Sequence, residues 1–418
     1  MPFITQPPSN PVSAYRPVLF QTFGFAPTFT DEVVNAVVTI TDVDTSTQIA
    51  QYRLQPIGNV GGVFFGFDID VQQALQDYLQ PNSQAKSDSA PNVDGQPFFN
   101  LDTGLYVNFT ATITYEYIDA TTGLLTDTGL IDITTQLTAT AATRQHDEVM
   151  NLDSYVLTIG APLERILSNS TATQNIQLEE SATLSFIGRD FGANTLALRV
   201  RTFNAVGGLI DDGTVNRTTP LSDFYQFTVG CGPNEIRNIT WSAGSVNIDN
   251  PIVDSYTVQI TTALNVPISE LKTYRLKSVC EDSELRLHFL NALGGFDAYT
   301  FSNTKVQSIN VTGTTAQKPL AWSNTAPQNT LSDKGTFSLE KTASTKFELE
   351  SLELEPSTAL WLKELLYSVE VYIETAQGLQ PVVIEDVVQI VETKTGDRQL
   401  VKYNLVAVLA NDKIIQYT

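Results

Sequence analysis

Histidine and cysteine are scarce in this chain, with two of each in 418 residues. Imidazole is the commonest metal ligand and general base, so His146 and His288 leave little for a zinc site or a catalytic triad. Cys231 and Cys280 are too few for a disulfide framework and read as two reduced, mostly buried thiols. Basic residues are also short, 24 against 46 acidic ones, which gives a net charge of −22. A surface that acidic repels phosphate backbones, so direct nucleic-acid binding is not expected, while contact with basic partners is favoured. No apolar run reaches the length of a bilayer span. The opening MPFITQPPSNPVSAYRP has neither the basic stretch nor the apolar core of a secretory signal, so synthesis in the cytoplasm is expected. GxxxxGK, GxSxG, HExxH and CxxC are all missing. The chain therefore reads as a non-enzyme, with no catalytic residue, no metal site and no cofactor expected.

What is abundant is β pattern. Hydrophobic residues make up 42% and charged residues 17%, a globular balance, and the length predicts several domains. Residues 1–22 are proline-rich and read as an extended arm leading into the strand PVLFQTF. A β domain follows over 23–145. In it Val71, Ala74, Leu75, Tyr78 and Leu79 recur at helical spacing, with Asp68 or Asp70 as the cap. Residues 80–98 form a long polar loop. After it Val107, Phe109, Ala111, Ile113 and Tyr115 alternate strictly, the strongest strand signal in the chain.

The polar stretch TAATRQHDEVMNLDSY marks a boundary near 145, and short strands separated by Gly, Asn and Asp turns over 146–301 predict a β-sandwich. Residues 302–335, rich in Thr, Ser and Asn, read as a linker. The segment 336–418 reads as an α+β domain. Its strand KFELESLELEP places Phe347, Leu349, Leu352 and Leu354 inward. Its helix 356–368 presents Leu360, Leu362, Leu365 and Leu366 with Trp361 at the edge, and a hairpin closes the chain. The fold class is thus mainly β and multi-domain, with sandwich-like modules and a few short helices.

Groupings that might carry chemistry each have a plainer reading. Asp42/Asp44, Asp68/Asp70 and Asp211/Asp212 are sequence neighbours, not carboxylates facing each other across a cleft. DDGTVN at 211–216 lacks the spacing and the distal Glu of a calcium loop and reads as a turn. His288 lies between Leu287 and Phe289 in an alternating strand, at a core edge or on the surface. In RLHFLNALGGFDAYTF, residues 286–301, Leu285, Leu287 and Phe289 face a core and NALGG makes a corner. Gly294 and Gly295 allow positive φ or close backbone approach there, and Asn291 and Asp297 are placed to bond the corner's backbone.

LHFLNALGGFDAYTF resembles the FLN-x-LGG-[FW]-D strand-corner-strand of tail-associated virion proteins from phages that infect Bacteroidetes, crAss-like phages among them. An early AYRPVLF followed by FGFDIDVQQALQDYL, and a late WLKELLYSVEVYI leading to QPVVIEDV, have counterparts in those proteins in the same order. Ala292 departs from the pattern, which commonly has a basic residue there.

The resemblance implies a structural piece of the neck, tail or distal tail, located in the virion. Its partners would be further copies of itself in a ring and other virion proteins. On that reading Pro7, Pro8, Pro11 and Tyr15 of the arm, and Asn82, Asp88 and Asp94 of the loop, are expected to touch neighbouring subunits. The alternative is a receptor- or carbohydrate-binding tail protein that uses exposed aromatics.

Overall fold

The computed structural model describes the chain outside residues 1–2, 5–9, 16, 24–32, 56–58, 61–62, 65, 80–98, 102–103, 120, 135, 143–151, 160–164, 190–195, 218–224, 278–283, 318–335, 376–377, 386–388, 396–397, 411–412 and 416–418. It is mainly β, sandwich-like in part, and divides into two compact units. The first is Met1–Val279 with Leu290–Asp297, and the second is Cys280–Phe289 with Ala298–Thr418. No helix among the described residues is long and apolar enough to cross a membrane.

The first unit begins with a small sheet of β1 (Phe3–Ile4), β3 (Leu19–Phe23) and β8 (Phe67–Asp70). A larger sheet takes β2 (Val12–Ser13), β4 (Val33–Asp42), β5 (Gln48–Leu54), β10 (Tyr106–Ile118) and β12 (Leu137–Thr140) in the order β2-β12-β10-β4-β5, with β11 (Leu125–Ile133) also on β10. β6 (Asn59–Val60) pairs with β7 (Val63–Phe64). The alternation read from β10 is realised: Val107, Phe109, Ala111, Ile113 and Tyr115 are all buried. On the expected face of α1 (Gln72–Tyr78), Val71, Ala74, Leu75 and Leu79 are buried while Tyr78 is half-buried, and Asp70 Oδ1 accepts the Gln72 amide at 2.9 Å.

The rest of the first unit is a sandwich. One sheet is β13 (Val156–Leu157), β15 (Thr183–Gly188), β18 (Tyr225–Gly230) and β9 (Phe99–Leu101), in that order. The other is β14 (Thr173–Gln177), β21 (Lys272–Lys277), β20 (Ser255–Thr262), β16 (Leu196–Phe203), β17 (Leu209–Asn216) and β19 (Ala243–Ser245). Phe186, Phe227 and Val229 of the first meet Leu198, Val200, Tyr256 and Val258 of the second in one apolar core. Removal of such area from water is the main stabilising term here. Short α2 (Pro233–Arg237) follows β18. Because β9 pairs with β18, residues on both sides of position 146 share one sheet, and the boundary expected there is not a break between sheets.

DDGTVN is strand, not turn. It lies in β17, and the hairpin turns earlier, at Asn204–Gly208, where Gly207 takes φ +80°. Asp212 receives Arg199 Nε at 2.9 Å, and that bond holds its carboxyl below the usual carboxylate range.

The second unit is one sheet of β23 (Phe296–Phe301), β22 (Leu285–Leu290), β26 (Val371–Thr375), β27 (Gly378–Ile384), β29 (Arg398–Leu409), β25 (Thr336–Glu350) and β24 (Asn303–Gln317), in that order. β28 (Gln389–Thr395) pairs with β29 in the expected closing hairpin, and β30 (Lys413–Ile415) pairs with β25. The stretch read as a linker over 302–335 is thus corrected for its first half, since β24 and β25, fifteen residues each, pair in fourteen positions along their length. Thr, Ser and Asn in bulk suggest a loop, but β-branched threonine is a good strand former on a solvated edge.

The predicted helix 356–368 is broken at Lys363 into α3 (Pro356–Leu362) and α4 (Glu364–Tyr367). Its buried face is Ala359, Trp361, Leu362 and Leu365, while Leu360 is 72% exposed and Leu352 lies outside too. The Leu repeat misled because Leu360 and Leu362 sit two residues apart, about 200° round a helix, and cannot share one face. Trp361 instead fills the core against Phe289, ring centroids 5.9 Å apart. Leu362→Ala is therefore expected to cost about 2–5 kcal/mol and Leu360→Ala less than about 0.5 kcal/mol, measured by urea unfolding.

Burial pushes the Tyr299 phenol up to about 12, with a backbone hydrogen bond to Leu352 acting weakly the other way. A phenol whose folded pKa lies above its unfolded value stabilises the fold fully below about pH 10, and that contribution is lost as the pH climbs towards 12. Tyr299→Phe should lose less stability than the wild type between about pH 10 and 12, read as thermal midpoints across that range.

Candidate functional site

A five-residue loop, Asn291–Gly295, joins β22 to β23, and it belongs to the first unit. Asn291 is fully buried, and its side-chain amide uses all its principal bonding directions. Oδ1 accepts the amides of Leu293 and Gly295, both at 3.0 Å. Nδ2 donates to Leu167 O at 2.7 Å and to Asp297 Oδ2 at 3.0 Å. The backbone closes the same loop, with Asn291 N to Gly295 O at 2.8 Å and Gly294 N to Asn291 O at 3.1 Å. Buried polar groups are costly unless bonded in this way, so one side chain makes burial of a whole turn possible.

The two glycines are required by space as well as by torsion. Gly294 sits at φ +81°, and a Cβ there would stand 2.8 Å from Ala142 N. A Cβ on Gly295 would stand 2.4 Å from Leu167 O. The surrounding strands complete the socket. Gln226 Nε2 donates to Gly294 O at 2.6 Å, and Phe296 N donates to Ser185 Oγ at 3.3 Å, which also bonds Thr228 Oγ1 at 2.9 Å. Leu293 packs with Tyr155, Val156, Leu167 and Ile187. Asn291, Gly294, Gly295 and Asp297 are thus brought together as one buried corner of structural character. No local pattern marks Gln226, Ser185 and Leu167, which lie 68 to 124 positions from the corner residues they bond and reach them only through the tertiary fold.

His288 belongs to a second cluster, in the second unit. It is buried, and its Nε2 lies 3.0 Å from Glu374 Oε2, with Arg286 Nε 3.8 Å from the same oxygen. Arg286 also donates to Thr300 Oγ1 at 2.7 Å. The residues stand on β22, β23 and β26, and the register Leu287↔Ile373 sets Glu374 diagonally across from His288. Glu374 thus faces both His288 and Arg286 of β22, and Arg286 reaches on to Thr300 of β23. The arrangement acts as a buried ionic clamp between three strands. No group of three or more His, Cys, Asp or Glu suited to a metal occurs among the described residues.

The expected subunit-contact residues are dispersed. Pro7, Pro8, Asn82, Asp88 and Asp94 lie outside the described residues, as do His146 and Cys280. Pro11 is buried and Tyr15 half-buried within the chain itself. There β2 runs parallel to β12 through Val12↔Ala139, and Asn10 Oδ1 accepts the Thr138 amide at 2.8 Å. The part of the arm beyond residue 10 therefore lies on its own sheet. Val12, Ala14, Val18 and Phe20 supply the apolar positions that hold it there. Cys231 is buried, with its Sγ 3.5 Å from the Tyr274 hydroxyl.

No family model and no curated protein matches this chain. Among solved structures it matches the native conformation of E. coli alpha-2-macroglobulin at 9% identity and a TM-score of 0.17, over 100% of this chain and 20% of that one. The chain spans about a fifth of that protein's length, and a likeness this slight carries no argument about fold or function.

Asn291→Ala is expected to lower stability by about 3 kcal/mol, since it strands several buried partners at once. Gly295→Ala should cost at least as much, through its clash with a backbone carbonyl. Ala292 is only half-buried, so Ala292→Lys should stay within about 0.5 kcal/mol. Chemical denaturation of the three variants measures all of these, and a neutral Asn291→Ala would refute the structural role given to that amide.

Proposed function

We propose that this chain is a non-enzymatic structural component of a tailed-phage virion, a subunit of a ring in the tail, neck or distal tail held together by contacts between subunits. The observation that carries the reading is the ordered resemblance of three segments, AYRPVLF with FGFDIDVQQALQDYL, then LHFLNALGGFDAYTF, then WLKELLYSVEVYI with QPVVIEDV. The residues of the central motif support it, because Asn291, Gly294, Gly295 and Asp297 hold a buried corner and leave no reactive group exposed. The sheet edges support it as well. An unpaired edge strand is an invitation to another chain, and a ring subunit has a use for two of them. Its partners would be copies of itself and neighbouring virion proteins, and its mechanism would be the formation of interfaces.

A second reading, a receptor- or carbohydrate-binding tail protein, is favoured by one observation. Val206 and Leu264 stand almost fully exposed at two turns of the six-stranded sandwich sheet, the kind of projecting apolar tip that inserts into a partner.

Native mass by light scattering of the purified full-length chain separates the two. A discrete closed oligomer of the 45.8 kDa chain is the expected result. A monomer that binds saturably on a glycan array would overturn the ring reading in favour of the second.

A further inference from the structure

The arm gives an outer strand to each of two sheets. β1 pairs with β3 through Phe3↔Phe23 and Ile4↔Thr22, at the edge of the three-stranded sheet. β2 pairs with β12 through Val12↔Ala139 and Ser13↔Thr140, at the edge of the larger sheet. An edge strand commonly buries one face and shows the other to water. β2 and its neighbours do not, since Pro11, Val12, Ser13 and Ala14 are buried one after another. The segment is enclosed in a seat rather than laid on a surface.

Polar contacts fix its register in that seat. Thr138 N donates to Asn10 Oδ1 at 2.8 Å, Ala14 N donates to Thr140 O at 2.9 Å, and Ser13 Oγ donates to Ala142 O. The edge it occupies runs from Leu137 to Ala142 and is buried throughout. The end of that edge also backs the glycine corner, where a Cβ on Gly294 would stand 2.8 Å from Ala142 N. Emptying the seat would expose apolar surface and unpaired backbone together.

The tie between this segment and the rest of its own chain is short. By Val18 the chain is held by other groups, with Val18 N donating to Asp70 Oδ1 at 3.1 Å and Val71 N donating to Val18 O at 3.2 Å. Between the two holds stands Pro17, exposed and with no amide hydrogen to give to either sheet.

We infer that the arm carrying β1 and β2 is exchangeable, seated in its own chain when the chain is alone and in the same seat of a neighbouring copy when chains assemble. The occupant is a second copy's arm because the seat fits this segment: Asn10–Ala14 fill it, and the same bonds form whichever chain supplies them. Exchange loses no contact, so chain concentration and any further contact between copies decide between the two forms. Each copy gives one arm and receives one, an arrangement that can close a ring. This inference rests on the proposal of a self-assembling structural subunit and names the element that links its copies.

The test is a disulfide across the seat of the full-length chain, Val12→Cys with Ala139→Cys. The two residues stand opposite each other in register, at a spacing a disulfide can span. On oxidation the bridge forms within one chain if the arm sits at home, and between chains if it is exchanged. Denaturing electrophoresis without reductant should show covalent species of two or more 45.8 kDa chains, at concentrations where light scattering finds an oligomer. The single variants, run alongside, account for pairing by Cys231 and Cys280. If the double variant does not fold, the adjacent opposed pair, Ser13→Cys with Thr140→Cys, replaces it.

An oligomer whose bridges all lie within single chains overturns exchange and leaves the ring reading standing. No bridge of either kind, in either pair, means that the arm is not seated on β12 and overturns exchange too. A chain that stays monomeric with internal bridges at every concentration overturns exchange and the ring reading together.

Discussion

A buried turn must satisfy its own backbone, and in this protein the Asn291 amide does so. The chain leaves the second unit at Leu290, makes the Asn291–Gly295 loop inside the first, and returns to the second after Asp297. A loop in that position cannot rely on water to bond its amides and carbonyls. Asn291 takes two backbone amides on Oδ1 and reaches Leu167 O with Nδ2. The glycines then allow the turn to lie closer to Ala142 and Leu167 than any side chain would permit.

The same logic of satisfaction governs the polar groups deeper in each unit. Asp42 accepts the amides of Asp44 and Thr45 and the Tyr78 hydroxyl, so a carboxylate that reads as a surface turn residue ties α1 to β4. Arg286, His288, Thr300 and Glu374 bind three strands of the second sheet together, the first two on the face of β22 opposite Leu287 and Phe289. Buried charge of this kind adds little net stability over apolar packing, but it penalises any register that leaves a partner behind. In a sheet of many strands, register is the property most at risk, because a one-residue slip exchanges the two faces.

Where backbone groups are left over, they lie at edges. β24 and β11 carry exposed β-branched residues, Ile309 and Val311 on one and Ile131 and Ile133 on the other.

The sequence by itself determined the local elements. Strict alternation fixed β10, helical spacing fixed α1, and Asn-x-Leu-Gly-Gly fixed a tight corner with positive φ, because each depends on residues a few positions apart. It was misleading where composition stood in for pattern. The Thr-rich stretch after Ser302 is an edge strand, DDGTVN is a strand, and the Leu run at 360–366 hides a tryptophan in the core. Only the tertiary structure decided that Leu167, Ser185 and Gln226 form the socket for the corner, and that Glu374 stands beside His288. Those partners are 68 to 124 residues distant and meet only through the order in which strands are laid side by side. No property of a short window encodes that order.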